Sequence, residues 1–359
     1  MGLGVLLKRK FPVPLVALCV SALFIANTIN VGADLGAIAA GGQLLSRGLI
    51  PAVWLVVPAA LLIGGLQLFT SYRVILRIFK YLTLALFAYV IAAVIAHPQG
   101  LAVVSSTFVP HIQISASFIA ALVAVLGTTI SPYLFFWQAS SEVDEMKTAG
   151  LLTRRQRHGT TVAELGTARL DIGIGMVLSQ VVMYCILLTC GTVLHGHGID
   201  DIATPDQAAA ALAPVAGQFA FIVFAVGMIG AGLLAIPVLA ASAAYAVKEA
   251  VGIRGALAMR LRHAPTFYGL MLVAICTGVV INFSHVNPVR ALFITAVING
   301  IVAPPLLLLI TLVGSDARIM GTRVSGRLSR GLTWLAFVVT SAAVAGLILT
   351  TWGPWAPGG

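Results

Sequence analysis

Charged residues are scarce in this sequence, making up 9% of its 359 positions, with 11 Asp and Glu in total. Soluble domains carry about 25% charged residues, so this scarcity excludes an ordinary soluble domain. The sequence also shows no Gly-rich phosphate loop, no nucleophile elbow, no HExxH pattern and no convincing Ser, His and Asp set. We therefore expect a protein that is not an enzyme and that uses no cofactor.

Cysteine is equally sparse, and its placement excludes a metal-binding motif built on thiolates. The four cysteines are Cys19, Cys185, Cys190 and Cys276. Each sits inside an apolar run, and their spacing does not match that of metal ligands. Buried cysteine behaves as a small hydrophobic residue, so these positions indicate packing and say nothing about the redox compartment.

Apolar residues are what the sequence has in abundance, at 60% of the chain. Apolar runs of about twenty residues are long enough to cross a bilayer as helices. We predict an all-α polytopic membrane protein, a single membrane domain over residues 1–359 that is embedded in a lipid bilayer. The predicted spans are approximately 14–45, 51–71, 76–96, 116–139, 170–194, 216–247, 266–283, 288–313 and 332–352.

Basic residues give a net charge of +10, but they lie in short loops between apolar runs rather than in an aromatic-studded patch. This distribution argues against a nucleic-acid partner. If Met1 is inside, all of the 21 Lys and Arg except Arg47 and Arg290 fall on the inner side of a nine-span arrangement. The positive-inside rule then predicts a cytoplasmic N-terminus and an outside C-terminus in a bacterial-type inner membrane. The oligomeric state is left open.

The fourth predicted span, 116–139, is interrupted by a proline. Pro132 has no N–H to donate and disfavours helical geometry at Ser131, so we expect the helix to break at 127–132. Unpaired backbone at membrane depth is tolerated only where it faces protein or a wet cavity. A simple proline kink in a packing helix is the alternative interpretation.

The break is a candidate cation site, because the carbonyls at the end of a helix carry partial negative charge. Hard oxygen ligands suit a hard ion. The candidate metal ligands are the backbone and side-chain oxygens of Gly127, Thr128, Thr129, Ser131 and Tyr133.

Polar residues inside other spans are candidates for lining an aqueous pathway. Asn27, Asn30 and Asp34 are spaced i, i+3, i+7 on one helical face, and we expect Asp34 to be the one carboxylate well within an apolar run. A hydrogen-bond network between helices is the alternative. Gln138 lies about two turns past the proline and is expected to line the inward vestibule. Asn299 either faces the same cavity or joins two helices.

Two motifs carry a family resemblance: ANTINVGADLGAIAA and GTTISPYLFFWQASSEVDE. They resemble the NRAMP divalent-metal transporters, especially the branch associated with magnesium, and the similarity runs from the first segment to the last. It implies a LeuT-like (APC-type) helical bundle that transports Mg²⁺ or Mn²⁺/Fe²⁺-type ions by alternating access. The nine segments resemble the family's helices three to eleven. The resemblance therefore implies an incomplete inverted repeat, a missing N-terminal two-helix segment and weak or absent transport by this chain alone.

The broken segment resembles the family's sixth helix, whose usual methionine, proline and histidine become Ser131, Pro132 and Tyr133. Loss of the thioether removes a contact suited to manganese or iron and favours a harder ion such as magnesium.

Proton coupling is put in doubt by two other departures from the family pattern. Asp34 resembles the family's aspartate in the third helix, but Ala37 stands at the companion glutamate position and Gln138 at a frequent histidine position. Two other functions stay open: an amino-acid or other organic-solute carrier of the same fold, and a non-transporting membrane subunit or remnant.

Overall fold

The chain folds into a series of helices in the computed structural model. The described residues are 2–69, 83–95, 100–109, 115–151, 161–194, 219–253, 261–284 and 287–352, together with isolated positions between these ranges. The helices in chain order are α1 (Leu3–Lys10), α2 (Val13–Leu45), α3 (Ala52–Phe69), α4 (Phe87–Ile95), α5 (Gly100–Phe108), α6 (Ala116–Thr129), α7 (Pro132–Thr148), α8 (Val162–Thr189), α9 (Phe219–Val251), α10 (Pro265–Phe283), α11 (Pro288–Gly314), α12 (Ala317–Met320) and α13 (Arg327–Trp352).

Eight helical segments in the described part are long and apolar enough to cross a membrane, with α6 and α7 counted together as one. This arrangement confirms the all-α polytopic class. The ninth predicted span, 76–96, cannot be compared as a whole, because much of it lies outside the described residues. Its last part forms a 3₁₀ turn at Thr83–Leu86 followed by α4.

Two helices differ in extent from the spans expected from hydropathy. α8 begins at Val162 rather than near 170, because Thr161 and Glu164 form a capping box. In this box Glu164 N donates to Thr161 Oγ1 at 3.2 Å, and Thr161 N donates to Glu164 Oε2 at 2.8 Å. α7 continues past 139 to Thr148, through turns that are too polar for a hydropathy pattern to include.

α2 is the central helix, and it packs against α3, α9, α10 and α11. Small residues allow these close contacts. A Cβ atom at Gly32 would lie 3.1 Å from Gly278 Cα on α10, and Asn282 Nδ2 of the same helix donates to Gly32 O at 2.6 Å. Buried Leu23 and Leu35 complete the packing of α2. The polar stripe of α2 is thereby held at the centre of the bundle.

α8 and α13 lie at the periphery and expose apolar side chains. Leu170 and Val177 of α8 are 65% and 66% exposed, and Leu328 and Leu335 of α13 are 77% and 59% exposed. Contiguous apolar surface of this kind mostly marks contact with protein or membrane. These two helices therefore present an apolar outer surface suited to contact with lipid or with another protein segment.

Candidate metal site

The broken helix has two non-helical residues between α6 and α7, inside the interval 127–132. Ile130 has φ −105° and ψ 61°, and Ser131 has φ −70° and ψ 116°. Pro132 begins α7 at its first position, where its missing N–H removes no helical bond. The chain resumes its hydrogen bonding when Leu134 N donates to Ser131 O at 3.1 Å.

The break leaves carbonyl groups open at the end of α6. Ile130 N still donates to Leu126 O at 2.8 Å, which closes the last regular turn. Within the described part of the chain, no backbone hydrogen bond ends on the carbonyl oxygens of Thr129 and Ile130. The end of a helix carries partial negative charge on such groups, so this end of α6 is suited to a cation.

Three hydroxyl groups surround the break, and each donates its proton to a nearby carbonyl. Ser131 is 4% exposed. Its Oγ donates to Thr128 O at 2.6 Å and lies 3.3 Å from Gly127 O. Thr128 Oγ1 and Thr129 Oγ1 both donate to Val125 O, at 2.9 and 2.7 Å. Because the protons point at the backbone, the oxygen lone pairs stay free to bind a cation.

Gly127 is where α6 and α11 touch through their backbones. A Cβ atom at Gly127 would lie 2.2 Å from Ala296 O and 2.3 Å from Gly300 N. The contact is reciprocal, because a Cβ atom at Gly300 would lie 2.4 Å from Val123 O. Gly127 was selected from the sequence as a candidate ligand, and the structure gives it a packing role that the sequence pattern did not indicate.

Tyr133 brings the break close to α2. It is half-buried in the first turn of α7 and interacts electrostatically with Asp34 and with Ser131. Its carbonyl oxygen accepts a hydrogen bond from Ser242 Oγ of α9 at 2.6 Å. Tyr133 therefore lies next to Ser131 and within electrostatic range of Asp34 on α2.

The amides of the polar stripe connect α2 to α9 and α11. Asn27 is fully buried, and its Nδ2 donates to Leu239 O at 3.3 Å, whereas Asn30 Oδ1 accepts from Thr295 Oγ1. Asn299 is 3% exposed. Among the described residues, the Oδ1 atoms of Asn27 and Asn299 have no hydrogen-bond partner. These amide oxygens are thus available to a water or an ion, while Asn30 serves as a link between helices.

Gln138 is oriented along its own helix. Its Nε2 donates to Glu142 Oε1, one turn further along α7, at 2.9 Å. Gln138 lies nearly two helical turns after Ser131. Because its amide bonds to Glu142, the Gln138 side chain belongs with the polar end of α7 rather than with the break.

Sequence reasoning missed several buried polar groups. Asp144 and Glu249 are buried as well, at 3% and 6% exposed, although neither lies inside a predicted span. Glu249 falls just past the predicted span 216–247, and Asp144 falls past 116–139. Thr295 and Ser242 were missed because a single hydroxyl in an apolar helix carries no signal of its partner.

The donors near the break are almost all oxygen atoms. In the described part of the chain, no three His, Cys, Asp or Glu side chains converge in a way that could hold a metal ion. A site here would use carbonyls, hydroxyls, a phenol and the carboxylate of Asp34, a set suited to a hard cation. The thioether sulfur of Met183 on α8 lies 3.6 Å from Thr129 Oγ1, and it is a soft metal ligand beside these oxygen atoms.

Comparison with solved structures shows the fold. A manganese transporter from Eremococcus coleocola superimposes with a TM-score of 0.67 at 16% identity, and the match covers 98% of this chain and 75% of that one. This similarity confirms a LeuT-like helical bundle.

Curated relatives of similar sequence are divalent metal cation transporters named MntH. The protein from Pectobacterium carotovorum is 25% identical over 347 residues, which cover 96% of this chain and 79% of the relative. The protein from Klebsiella pneumoniae is 25% identical over 286 residues, covering 79% of this chain and 60% of the relative. The family model described as natural resistance-associated macrophage protein-like matches residues 1–350. Since this match spans nearly the whole sequence, the chain belongs to the Nramp family.

Proposed function

We propose that this chain carries divalent metal cations across a membrane and that the ion binds at the break between α6 and α7. The observation that carries the proposal is the open end of α6, where the carbonyls of Thr129 and Ile130 accept no backbone hydrogen bond in the described part of the chain. Asp34, which interacts with Tyr133, adds a carboxylate close by. Metal transport by the MntH relatives supports the same function.

The donor set favours ions that prefer oxygen, namely Mg²⁺ and Mn²⁺, over softer metals. Ser131 occupies the position next to Pro132 and presents a hydroxyl oxygen, so a metal at the break meets no sulfur from this helix. Mg²⁺ keeps several waters when it binds to proteins. The amide oxygens of Asn27 and Asn299 would accept hydrogen bonds from such waters.

Transport would proceed by alternating access around the break, with the Lys- and Arg-rich side of the protein facing the cytoplasm of a bacterial-type inner membrane. The two halves of the broken helix can change their relative angle at Ile130 and Ser131, where helical hydrogen bonds are interrupted. The ion would then exchange between the two sides without a continuous pore.

The proposal is tested with the purified full chain in two measurements. The first is thermal unfolding with and without Mg²⁺ or Mn²⁺, in which binding at the native site raises the unfolding temperature in a saturable way. The second is uptake of the same ions into proteoliposomes, with amino acids as competitors. Absence of any metal effect in both measurements would contradict the proposal. Competition by amino acids would instead favour an organic-solute carrier.

Replacement of Ser131 by methionine tests whether this side chain faces the ion. Ser131→Met adds a thioether next to Pro132, and we expect the preference for Mn²⁺ or Cd²⁺ over Mg²⁺ to rise by about tenfold, as one additional favourable contact gives. Ser284→Met, at an exposed position after α10, is the matched control. Competition binding with the three metals measures the preference, and an equal preference in both variants would remove Ser131 from the site.

A further inference from the structure

Hydrogen bonds join α7 to α9 along most of the length of α7. Three residues of α9, spaced i, i+3, i+7, lie on one helical face and each bonds to a different level of α7. The pairs are Ser242 Oγ to Tyr133 O at 2.6 Å, Tyr245 Oη to Asp144 Oδ2 at 2.6 Å, and Glu249 Oε1 from Ser140 Oγ at 2.7 Å. The second pair contains the carboxylate of Asp144, near the end of α7 that carries Lys147, and the third contains the carboxylate of Glu249 on α9.

The short helix α1 is bound to the same place. Its Gly4 N donates to Glu249 Oε2 at 2.8 Å, so one carboxylate holds both α7 and α1. The approach is close: a Cβ atom at Gly2 would lie 1.8 Å from Glu249 Oε1, and one at Gly4 would lie 2.8 Å from Glu249 Cβ. Lys8 Nζ also donates to Ala250 O, the carbonyl next along α9, at 3.0 Å.

The groups in these bonds are almost completely buried. Ser140, Asp144, Tyr245 and Glu249 are between 1% and 6% exposed. A buried carboxylate is tolerated while its hydrogen bonds are complete, and removal of one partner is costly. Water can replace the same partners once the groups are exposed, because a hydrogen bond to water has nearly the same free energy. The polar groups of such an interface can keep their hydrogen bonds in two arrangements. In the closed one they bond to each other, and in the open one they bond to water.

We infer that Ser140, Asp144, Tyr245 and Glu249, together with α1, form a latch that closes the Lys- and Arg-rich side of the protein. The break lies at the start of α7, and the latch lies near the end of α7, beside Lys147 and Lys248. Opening of the latch frees the end of α7 from α9 and α1 and exposes the interior to water on that side. The inference concerns the movement of α7 and holds whichever ion or solute the break binds.

A cysteine in place of Ser141 reports on the latch. Ser141 is next to Ser140, is 8% exposed, and has an Oγ without a hydrogen-bond partner among the described residues, so Ser141→Cys is nearly isosteric and breaks no recorded bond. The reporter is placed in the full chain after Cys19, Cys185, Cys190 and Cys276 have been replaced by alanine. Thr340→Cys, at a buried position of α13, is a second reporter on a helix that packs against α6 and α11.

Alkylation of each reporter by a maleimide is timed in detergent for three variants. Ser140→Ala removes the bond between Ser140 and Glu249. Glu249→Gln leaves one acceptor oxygen in place of the two that accept from Ser140 Oγ and Gly4 N, so one of these bonds is lost. We expect both to raise the labelling rate at position 141 by about fivefold, as loss of one net hydrogen bond does, and to leave position 340 unchanged. Thr148→Val is the matched control, because its hydroxyl donates to Asp144 O within α7 and does not reach α9.

Three results would overturn the latch. The first is an unchanged rate at position 141 in both Ser140→Ala and Glu249→Gln. The second is an equal increase at positions 141 and 340, which indicates general loosening of the fold. The third is an equal increase in Thr148→Val. Because labelling requires no metal, failure of the latch is distinguishable from failure of the proposed transport function.

Discussion

The two halves of the broken helix are held in different ways. α6 contacts α11 through backbone atoms at Gly127 and Gly300, where no side chain fits. α7 is held by side-chain hydrogen bonds to α9 at Tyr133, Ser140 and Asp144. Close packing resists any displacement, whereas hydrogen bonds can be exchanged with water. The comparison indicates that α6 is the fixed half and α7 the half that can move.

The largest expected effect comes from filling the contact between α6 and α11. Gly127→Val places atoms where Ala296 O already lies, and we expect it to lower the free energy of unfolding by about 3 kcal/mol, as severe overpacking does. Gly65→Ala in α3 is the control, since a Cβ atom there meets nothing within 4 Å. Thermal unfolding of both variants in detergent measures the difference. A stable Gly127→Val protein would show that α6 is not fixed by this contact.

The next effect is expected from Tyr245, which belongs to the latch on α7. Tyr245→Phe leaves Asp144 Oδ2 without its 2.6 Å donor and Leu257 N without its acceptor. We expect a loss of about 2 kcal/mol, the usual value for a hydrogen bond to a charged group. Tyr184→Phe, whose hydroxyl bonds to Thr107 at an exposed position, is the control. Equal stability of the two variants would show that the hydrogen bond between Tyr245 and Asp144 does not hold α7 in place.

A smaller effect is expected where α9 holds the first turn of α7. Ser242→Ala removes the donor to Tyr133 O, and we expect a loss of about 1 kcal/mol, as for a neutral hydrogen bond. Ser284→Ala, which loses an exposed bond to Val280 O, should change stability less. Metal-dependent stabilisation is measured on the same samples. If Ser242→Ala weakens this metal-dependent stabilisation and Ser284→Ala does not, the hydrogen bond from Ser242 to Tyr133 O holds the break in its metal-binding geometry.

The smallest effect is expected at the surface, where Lys10 of α1 pairs with Asp316 at 2.7 Å. Hydrogen bonds from Lys10 and from Arg318 N lower the pKa of Asp316 below its usual value. The pair therefore stabilises the fold above about pH 4, the usual aspartate value, and this contribution is lost as the pH falls through the lowered pKa. Unfolding temperatures of the parent and of Asp316→Asn should differ at neutral pH and converge in acid. A constant difference would show that the charge of Asp316 does not matter.

The break was predictable because its cause is local. Pro132 lacks a donor whatever surrounds it, so the sequence alone predicts an interruption within 127–132, and the structure has its non-helical residues at Ile130 and Ser131. The apolar class and the LeuT-like fold were also predictable, the first from composition and the second from two motifs. The ends of the helices were less predictable, because a hydropathy pattern leaves out polar first turns such as the one that follows the capping box at Thr161.

The partners of the broken helix were not predictable from the sequence. Gly127 meets Gly300, and Asp144 meets Tyr245, across one hundred or more intervening positions. Nothing in either local pattern specifies such a pair, since glycine in a helix and tyrosine in an apolar run both have many ordinary uses. The polar residues around Asp144 therefore give no sign that the structure buries it.

The contact between Gly127 and Gly300 also limits the kinds of motion that the bundle can make. Two main chains that touch without intervening side chains cannot slide past each other, because every step along the axis would bring a carbonyl against the opposite backbone. The contact therefore anchors α6 to α11 just before the interruption, so any change of angle falls on the non-helical residues Ile130 and Ser131 and on α7 beyond them.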